Sequence, residues 1–188
     1  SKIGRLTSAI SKTVMIYYHT RMQGRNYHFF FLNKMQNIDS NIRTIGLIQM
    51  ACTSDPEHNF QTAAQYIRDA AKQEAQIICL PELFLSNYFC QTENPKYFSL
   101  AESIPGPKSN AFAQLAKELE IVLIIPLFEK RTEGIYHNSA VILDADGSIS
   151  GIYRKMHVPD DPCFYEKYYF TPGDSGFQSF STRYGKVS

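Results

Sequence analysis

The chain has 188 residues, with 19 Lys and Arg against 18 Asp and Glu, a formal charge of +1. That length suits one ordinary domain or part of a larger one, and 44% hydrophobic with 20% charged residues excludes wholesale disorder. The near-neutral charge argues against a nucleic-acid partner, and no apolar run approaches the roughly 18 residues of a membrane span.

Four cysteines (Cys52, Cys79, Cys90 and Cys163) are too few and too scattered for a disulfide scaffold, and none sits in a zinc-binding pattern. A cytoplasmic chain with reduced thiols is therefore expected. The balanced charge hides an asymmetry. Residues 1–42 carry six basic side chains (Lys2, Arg5, Lys12, Arg21, Arg25 and Lys34) against Asp39 alone, while residues 43–188 hold 13 basic and 17 acidic ones. The first 42 residues also lack Pro and Cys and have no sustained apolar period. They are set apart as a basic, non-conforming segment. Three readings stay open for it: a targeting segment, a disordered or docking tail, or sequence foreign to the folded protein, with Met35 as the natural start.

Residues 44–51 (TIGLIQMA) read as a short apolar strand covered on both faces. A helix then starts at Asp55, a good N-cap, with Pro56 at the first helical position. Phe60, Ala63, Ala64, Ile67 and Ala71 form its apolar stripe. Residues 76–80 (QIICL) are a second strand, ending at Pro81-Glu82, and a loop-rich aromatic stretch follows over 84–97. After a Pro-Gly-Pro turn a second helix carries Phe112, Leu115, Ala116 and Leu119 on one face. Residues 121–128 (IVLIIPLF) form a third strand, with an end or bulge expected at Pro126. This β-α-β-α-β order predicts an α/β layer with strands joined through helical crossovers. A hairpin comes next, strands 138–143 and 148–153 about a turn in which Gly147 supplies a positive φ. A Pro-, Gly- and Tyr-rich loop over 155–176 and a short strand near 177–180 follow, and 184–188 reads as the start of one more.

Glu82 directly follows a buried strand, where open α/β sheets place their ligand sites. Its apolar neighbours Leu80, Pro81, Leu83 and Phe84 would desolvate the carboxylate and suit it to act as a base. Lys155 lies in a segment dense with aromatics and prolines, and a lysine held there can stabilise an oxyanion. Glu129 is a second carboxylate, at the end of the third strand. Taken alone, Glu82 reads more readily as a solvated acid, Lys155 as a surface lysine and Glu129 as half of a salt bridge. His137 and His157 have no nucleophile motif beside them and read as structural. Cys163 has no base near it in sequence.

Three motifs in order then carry a resemblance: GLIQMACT, ICLPELFLSNYF, and the long YRKMHVPDDPCFYEKYYFTPGD. The stretch 43–188 resembles the nitrilase-like carbon–nitrogen hydrolases. The resemblance implies an incomplete α-β-β-α sandwich, the N-terminal part of one hydrolase domain, and hydrolysis of a non-peptide C–N bond by a Glu-Lys-Cys set. Carried over residue by residue, Glu82 in LPELF matches the general base and Lys155 in YRKMH the lysine that steadies the tetrahedral intermediate. Glu129 matches an additional glutamate near the site. The nucleophilic cysteine does not carry over: Tyr184-Gly185-Lys186-Val187-Ser188 resembles the strand opening that precedes it, and the sequence has no Trp for the expected Cys-Trp-Asp-like motif. Cys163 stands where a glycine is expected.

The resemblance further implies a small ureido-amine substrate, for which Asp160-Asp161 offers a counter-charge to a cationic end. It implies no metal or organic cofactor, and a homo-oligomer when complete. Read as cut short before its nucleophile, the chain is expected to be inactive alone. Two alternatives stand beside this: a non-catalytic subunit acting through oligomer contacts, and an amidase acting on a β-ureido acid.

Overall fold

The computed structural model describes residues 14–18 and 43–188. Its centre is a six-stranded sheet in sequence order: β1 (Val14–Tyr18), β2 (Thr44–Ile48), β3 (Ile77–Cys79), β4 (Val122–Thr132), β5 (Ile135–Leu143) and β6 (Ile149–Arg154). The first four strands are parallel, and β4, β5 and β6 then pair antiparallel. Helices α1 (Pro56–Lys72) and α2 (Pro107–Leu119) are the crossovers from β2 to β3 and from β3 to β4. Strands added in one direction through right-handed crossovers place both helices on the same face. The two helices touch there, with an Arg68–Glu118 ion pair between them.

The main core lies between those helices and the sheet. It is built from Ile48, Ile78, Leu123, Ile125, Leu127, Val141 and Leu143 of the strands against Ala63, Ile67, Ala70, Phe112, Leu115 and Ala116 of the helices. The alternate strand residues Ile45, Leu47, Ile77, Cys79 and Ile124 are only half-buried on the opposite face. The expectation that the first of these strands is covered on both faces therefore fails. TIGLI is apolar throughout, but only Gly46 and Ile48 in it are fully buried.

Both predicted helices form. Asp55 caps α1, its carboxylate accepting from the N–H groups of Glu57 (2.9 Å) and His58 (3.2 Å). The hairpin turn forms with Gly147 at φ +84°, where any Cβ would also lie 2.7 Å from the Ala113 carbonyl oxygen. Pro126 neither ends nor bulges its strand. The even-numbered residues of β4 turn their backbone groups toward β3: Val122 N–H donates to the Gln76 carbonyl, and the Ile124 carbonyl accepts from Leu80. Pro126 shares that orientation, one step past the last β3–β4 pair at Cys79 and Ile124, so its missing N–H interrupts no ladder bond. The strand runs on to Thr132, and its register shift falls between Lys130 and Thr132.

Val14–Tyr18 (VMIYY), inside the basic segment, is a further difference. The short apolar run carries no strand signal of its own, yet it pairs with β2 in parallel from Val14–Thr44 to Tyr18–Ile48. Branched and aromatic residues favour such a pairing. The rest of 1–42, and with it the choice among the three readings of that segment, lies outside the described residues.

Beyond β6, the long loop is more ordered than its composition implied. β7 (Asp160–Asp161) and β8 (Phe164–Tyr165) form a small hairpin, α3 (Glu166–Tyr169) follows, and β9 (Phe180–Thr182) pairs with β10 (Gly185–Val187). A second core of aromatics lies under this loop: Phe89, Phe128, Tyr169 and Phe170, with Leu83, Cys90 and Val158. Phe89 stacks on Phe128 at 5.2 Å between ring centroids and meets Tyr169 edge-on at 5.0 Å.

Two stability outcomes follow from these local geometries. Asp55→Ala should cost about 1 kcal/mol in urea unfolding, because two helix N–H groups lose their acceptor. Cys163, exposed at φ +68° in the β7–β8 turn, holds the left-handed conformation where the resemblance implies glycine. Cys163→Gly should therefore stabilise the fold by roughly 0.5–1 kcal/mol in the same assay, the side-chain clash being relieved at some cost in chain entropy.

Candidate active site

Three successive residues after β3 go three ways. Leu83 adopts φ +51° and plugs the aromatic core, Phe84 enters the main core, and Glu82 between them and the strand is left projecting outward. A left-handed leucine is costly unless its surroundings hold it, and such residues concentrate at functional sites. Glu82 is thus fixed by burial of its neighbours while its own side chain stays 53% exposed. The desolvated carboxylate expected from the apolar neighbours is not what forms, because those neighbours turn away from it.

Lys155 follows the end of β6, and its backbone N–H donates to the Asn138 carbonyl of β5. Its Nζ donates to Glu82 Oε1 at 3.1 Å and to Glu166 Oε2 at 2.8 Å. Asn138 Nδ2 donates to the same Glu82 oxygen at 2.6 Å. Both contacts thus fall on Glu82 Oε1, and among the described residues nothing hydrogen-bonds its Oε2, which is left with lone pairs free to take a proton. Burial pulls the Lys155 ammonium down, but the hydrogen bonds to Glu166 and Glu82 outweigh it and hold its pKa above the ordinary lysine value.

Glu166 was not singled out from the sequence, where it is one acid in an aromatic run. Its carboxylate is 4% exposed and accepts from Tyr88 OH at 2.8 Å on its other oxygen. Burial, then that hydrogen bond, raises the Tyr88 phenol well above its usual value, so it remains a donor. The signal that exists in the sequence is an acid between Tyr165 and Lys167 in a run too aromatic to be a solvated face. Asn138 and Tyr88 carried no signal of their own.

Glu129, the third expected site residue, does not join this group. Consecutive strand residues point to opposite faces. Asn138 reaches the site, whereas Ser139 turns to the other side and donates to Glu129 at 2.5 Å. Arg154 forks onto both Glu129 oxygens at 2.7 and 2.5 Å. Burial pushes the Glu129 carboxyl up, but the bonds from Arg154 and Ser139 overcome it and hold its pKa below the usual carboxylate value. The reading of Glu129 as half of a salt bridge is the one that fits these contacts. His137, its cross-strand neighbour, is buried with Nδ1 2.8 Å from the Thr171 carbonyl and with Nε2 lacking a partner among the described residues, while His157 is exposed.

No thiol completes the site among these residues. Cys90 is fully buried in the aromatic core, and burial, with Glu166 adding to it, pushes its thiol up to about 12. Cys52 and Cys79 are raised by burial as well. Cys163 is exposed in its turn. Among the described residues, no group of three His, Cys, Asp or Glu side chains is placed to hold a metal ion, and no helix is long and apolar enough to cross a membrane. What the arrangement can do is accept a proton at Glu82 while presenting a permanent cation beside it.

Comparison with known proteins adds to this geometry. The sequence profile of the carbon–nitrogen hydrolases matches residues 44–188. The N-carbamoylputrescine amidase of Solanum lycopersicum is 44% identical over 145 residues, 77% of this chain and 48% of that protein. The citrullinase of Francisella tularensis is 41% identical over 144 residues, 76% of this chain and 50% of that protein. A crystal structure of a carbon–nitrogen hydrolase from Helicobacter pylori G27 superposes with a TM-score of 0.72 at 46% identity, covering 76% of this chain and 49% of that one. The chain thus spans about half the length of each of these relatives.

The thiol environments give a direct check. With a chromogenic disulfide reagent at neutral pH, Cys163 should react at once. Cys90 should react only as fast as the protein unfolds, because its thiol is sealed in the aromatic core. Rapid labelling of Cys90 in the folded chain would show that the aromatic core does not seal it.

Proposed function

The chain belongs to the carbon–nitrogen hydrolase family, and on that premise we propose that it supplies the acid–base half of an amidase that cleaves N-carbamoylputrescine to putrescine, ammonia and carbon dioxide, a step of polyamine synthesis. The observation that carries the reading is the contact of Lys155 with Glu82, backed by Glu166. In this reading the attacking thiol comes from the portion that the relatives have beyond the matched half.

Glu82 takes the thiol proton on its free oxygen. The thiolate adds to the ureido carbonyl, and Lys155 faces the oxyanion that forms. As the intermediate collapses, Glu82 returns the proton to the departing amine, leaving a carbamoyl thioester. Water activated by Glu82 then cleaves the thioester and regenerates the thiol, and the released carbamic acid breaks down to ammonia and carbon dioxide. Lys155 stays protonated throughout, as its raised pKa requires.

The β7–β8 hairpin packs beside α3, whose Lys167 N–H donates to the Pro159 carbonyl, so Asp160 and Asp161 stand exposed near the segment that carries Glu166. That placement fits a substrate with a cationic end. The similarity to a citrullinase favours a second reading in which the ureido group belongs to citrulline. Both readings share the chemistry and differ in what lies at the far end of the substrate.

The test joins the whole chain to the remaining half of the Solanum lycopersicum relative and follows ammonia release from N-carbamoylputrescine and from citrulline. Release from the first, reduced by about 10²–10⁴-fold in Glu82→Gln, is the expected result. A folded chimera that releases ammonia only from citrulline would shift the substrate, and one that releases none from either would overturn the reading.

A further inference from the structure

A second polar cluster lies behind the Glu82–Lys155 pair, on the helix-covered face of the same strands, and the proposed chemistry does not use it. Glu129 reaches from β4, Ser139 from β5 and Arg154 from β6, so one carboxylate ties three adjacent strands together. The Glu129 side chain is 3% exposed and that of Arg154 is 15%. A bidentate guanidinium–carboxylate pair fixes direction as well as distance.

The cluster is interleaved with the site. Ser139 is the residue after Asn138, which holds Glu82, and Arg154 is the residue before Lys155. Ser139 and Arg154 are also cross-strand partners, the last pair of the β5–β6 ladder. Lys155 itself lies past that ladder, tied by its N–H to the Asn138 carbonyl and by its carbonyl to the Gly173 N–H. The Lys155 backbone is therefore held on both sides, directly after the residue that Glu129 grips. The chain returning at Gly173 leaves little slack, since a Cβ there would meet the Arg154 carbonyl oxygen.

We propose that Glu129, Ser139 and Arg154 form a positioning device that aims Lys155 and Asn138 at Glu82 from the opposite side of the sheet. Glu129 is then a positioning residue and not a catalytic one. The proposal takes from the functional reading only that Lys155 is the working cation. Its test avoids turnover, so the outcome is independent of whether the chain is an amidase.

The experiment measures the acetylation rate of each lysine in the full chain by mass spectrometry, with Lys117 and Lys186 as internal references. Wild-type Lys155, donating to two carboxylates, should label slowly. Glu129→Gln and Arg154→Met should each raise its rate roughly fivefold relative to the references, about what release of a part-exposed ion pair gives. Arg154→Lys, which keeps the charge but loses the fork, should fall between. If either of the first two variants fails to fold by circular dichroism, Ser139→Ala and Arg154→Lys carry the test, each expected to give a smaller rise at Lys155 alone. A purely structural cluster would lower the melting temperature and leave the relative rate at Lys155 unchanged in every folded variant, which would overturn the proposal.

Discussion

One ammonium between two carboxylates organises the fold around the strand ends. Lys155 is 30% exposed at its side chain, Glu82 is half open to solvent, and Glu166 is buried. A buried acid such as Glu166 is stable in its ionised form only with a partner, and its partners are the Lys155 ammonium and the Tyr88 hydroxyl. Glu82 shares the same cation while keeping one oxygen free. The arrangement therefore divides two tasks between two acids of one chemical type: the buried carboxylate holds the lysine charged and in place, and the open one is available to exchange a proton.

Topology explains why residues 73 positions apart in the chain meet. Parallel strands added in one direction send both helices to one face, which leaves the other face free for loops at the strand ends. Glu82 leaves β3 at its carboxyl end. The β4–β5–β6 meander then brings Asn138 and Lys155 alongside, and the aromatic core of Phe89, Phe128, Tyr169 and Phe170 supports the segment bearing Glu166. Strand alternation does the rest. On β5 and at the end of β6, neighbouring residues serve opposite faces, one set at the site and one at the buried Glu129 pair.

The elements with a strong local signal were legible. Asp55-Pro56 and the apolar stripes gave both helices, and Asp-Gly gave the β5–β6 turn. Glu82 and Lys155 stand out through motif resemblance, since their positions alone fit a solvated acid and a surface lysine better. Besides the two-sided cover expected for β2, three features differ from their sequence reading, each for a physical reason. Pro126 looked disruptive because sequence does not reveal which side of a strand lacks a neighbour. Glu129 enters the site reading through the resemblance, and strand-end position does not reveal which sheet face its side chain takes. The apolar surroundings of Glu82 were read as desolvating it, whereas the left-handed turn at Leu83 sends them elsewhere. Glu166 was missed because its role depends on tertiary contacts with residues 78 and 11 positions away.

The account stands or falls on the state of Lys155 in the folded chain. Its ammonium should be more strongly protonated than an ordinary lysine, so the stability it contributes is complete below the usual value of 10.5 and is lost only as pH rises through the higher folded value. A pH titration of isotope-labelled lysine followed by NMR, with the Lys155 resonance assigned through Lys155→Arg, reads this directly. The account requires a midpoint above 10.5 that drops when Glu166 becomes Gln. A midpoint at or below 10.5, indifferent to Glu166, would mean that the cation is not held between the two acids.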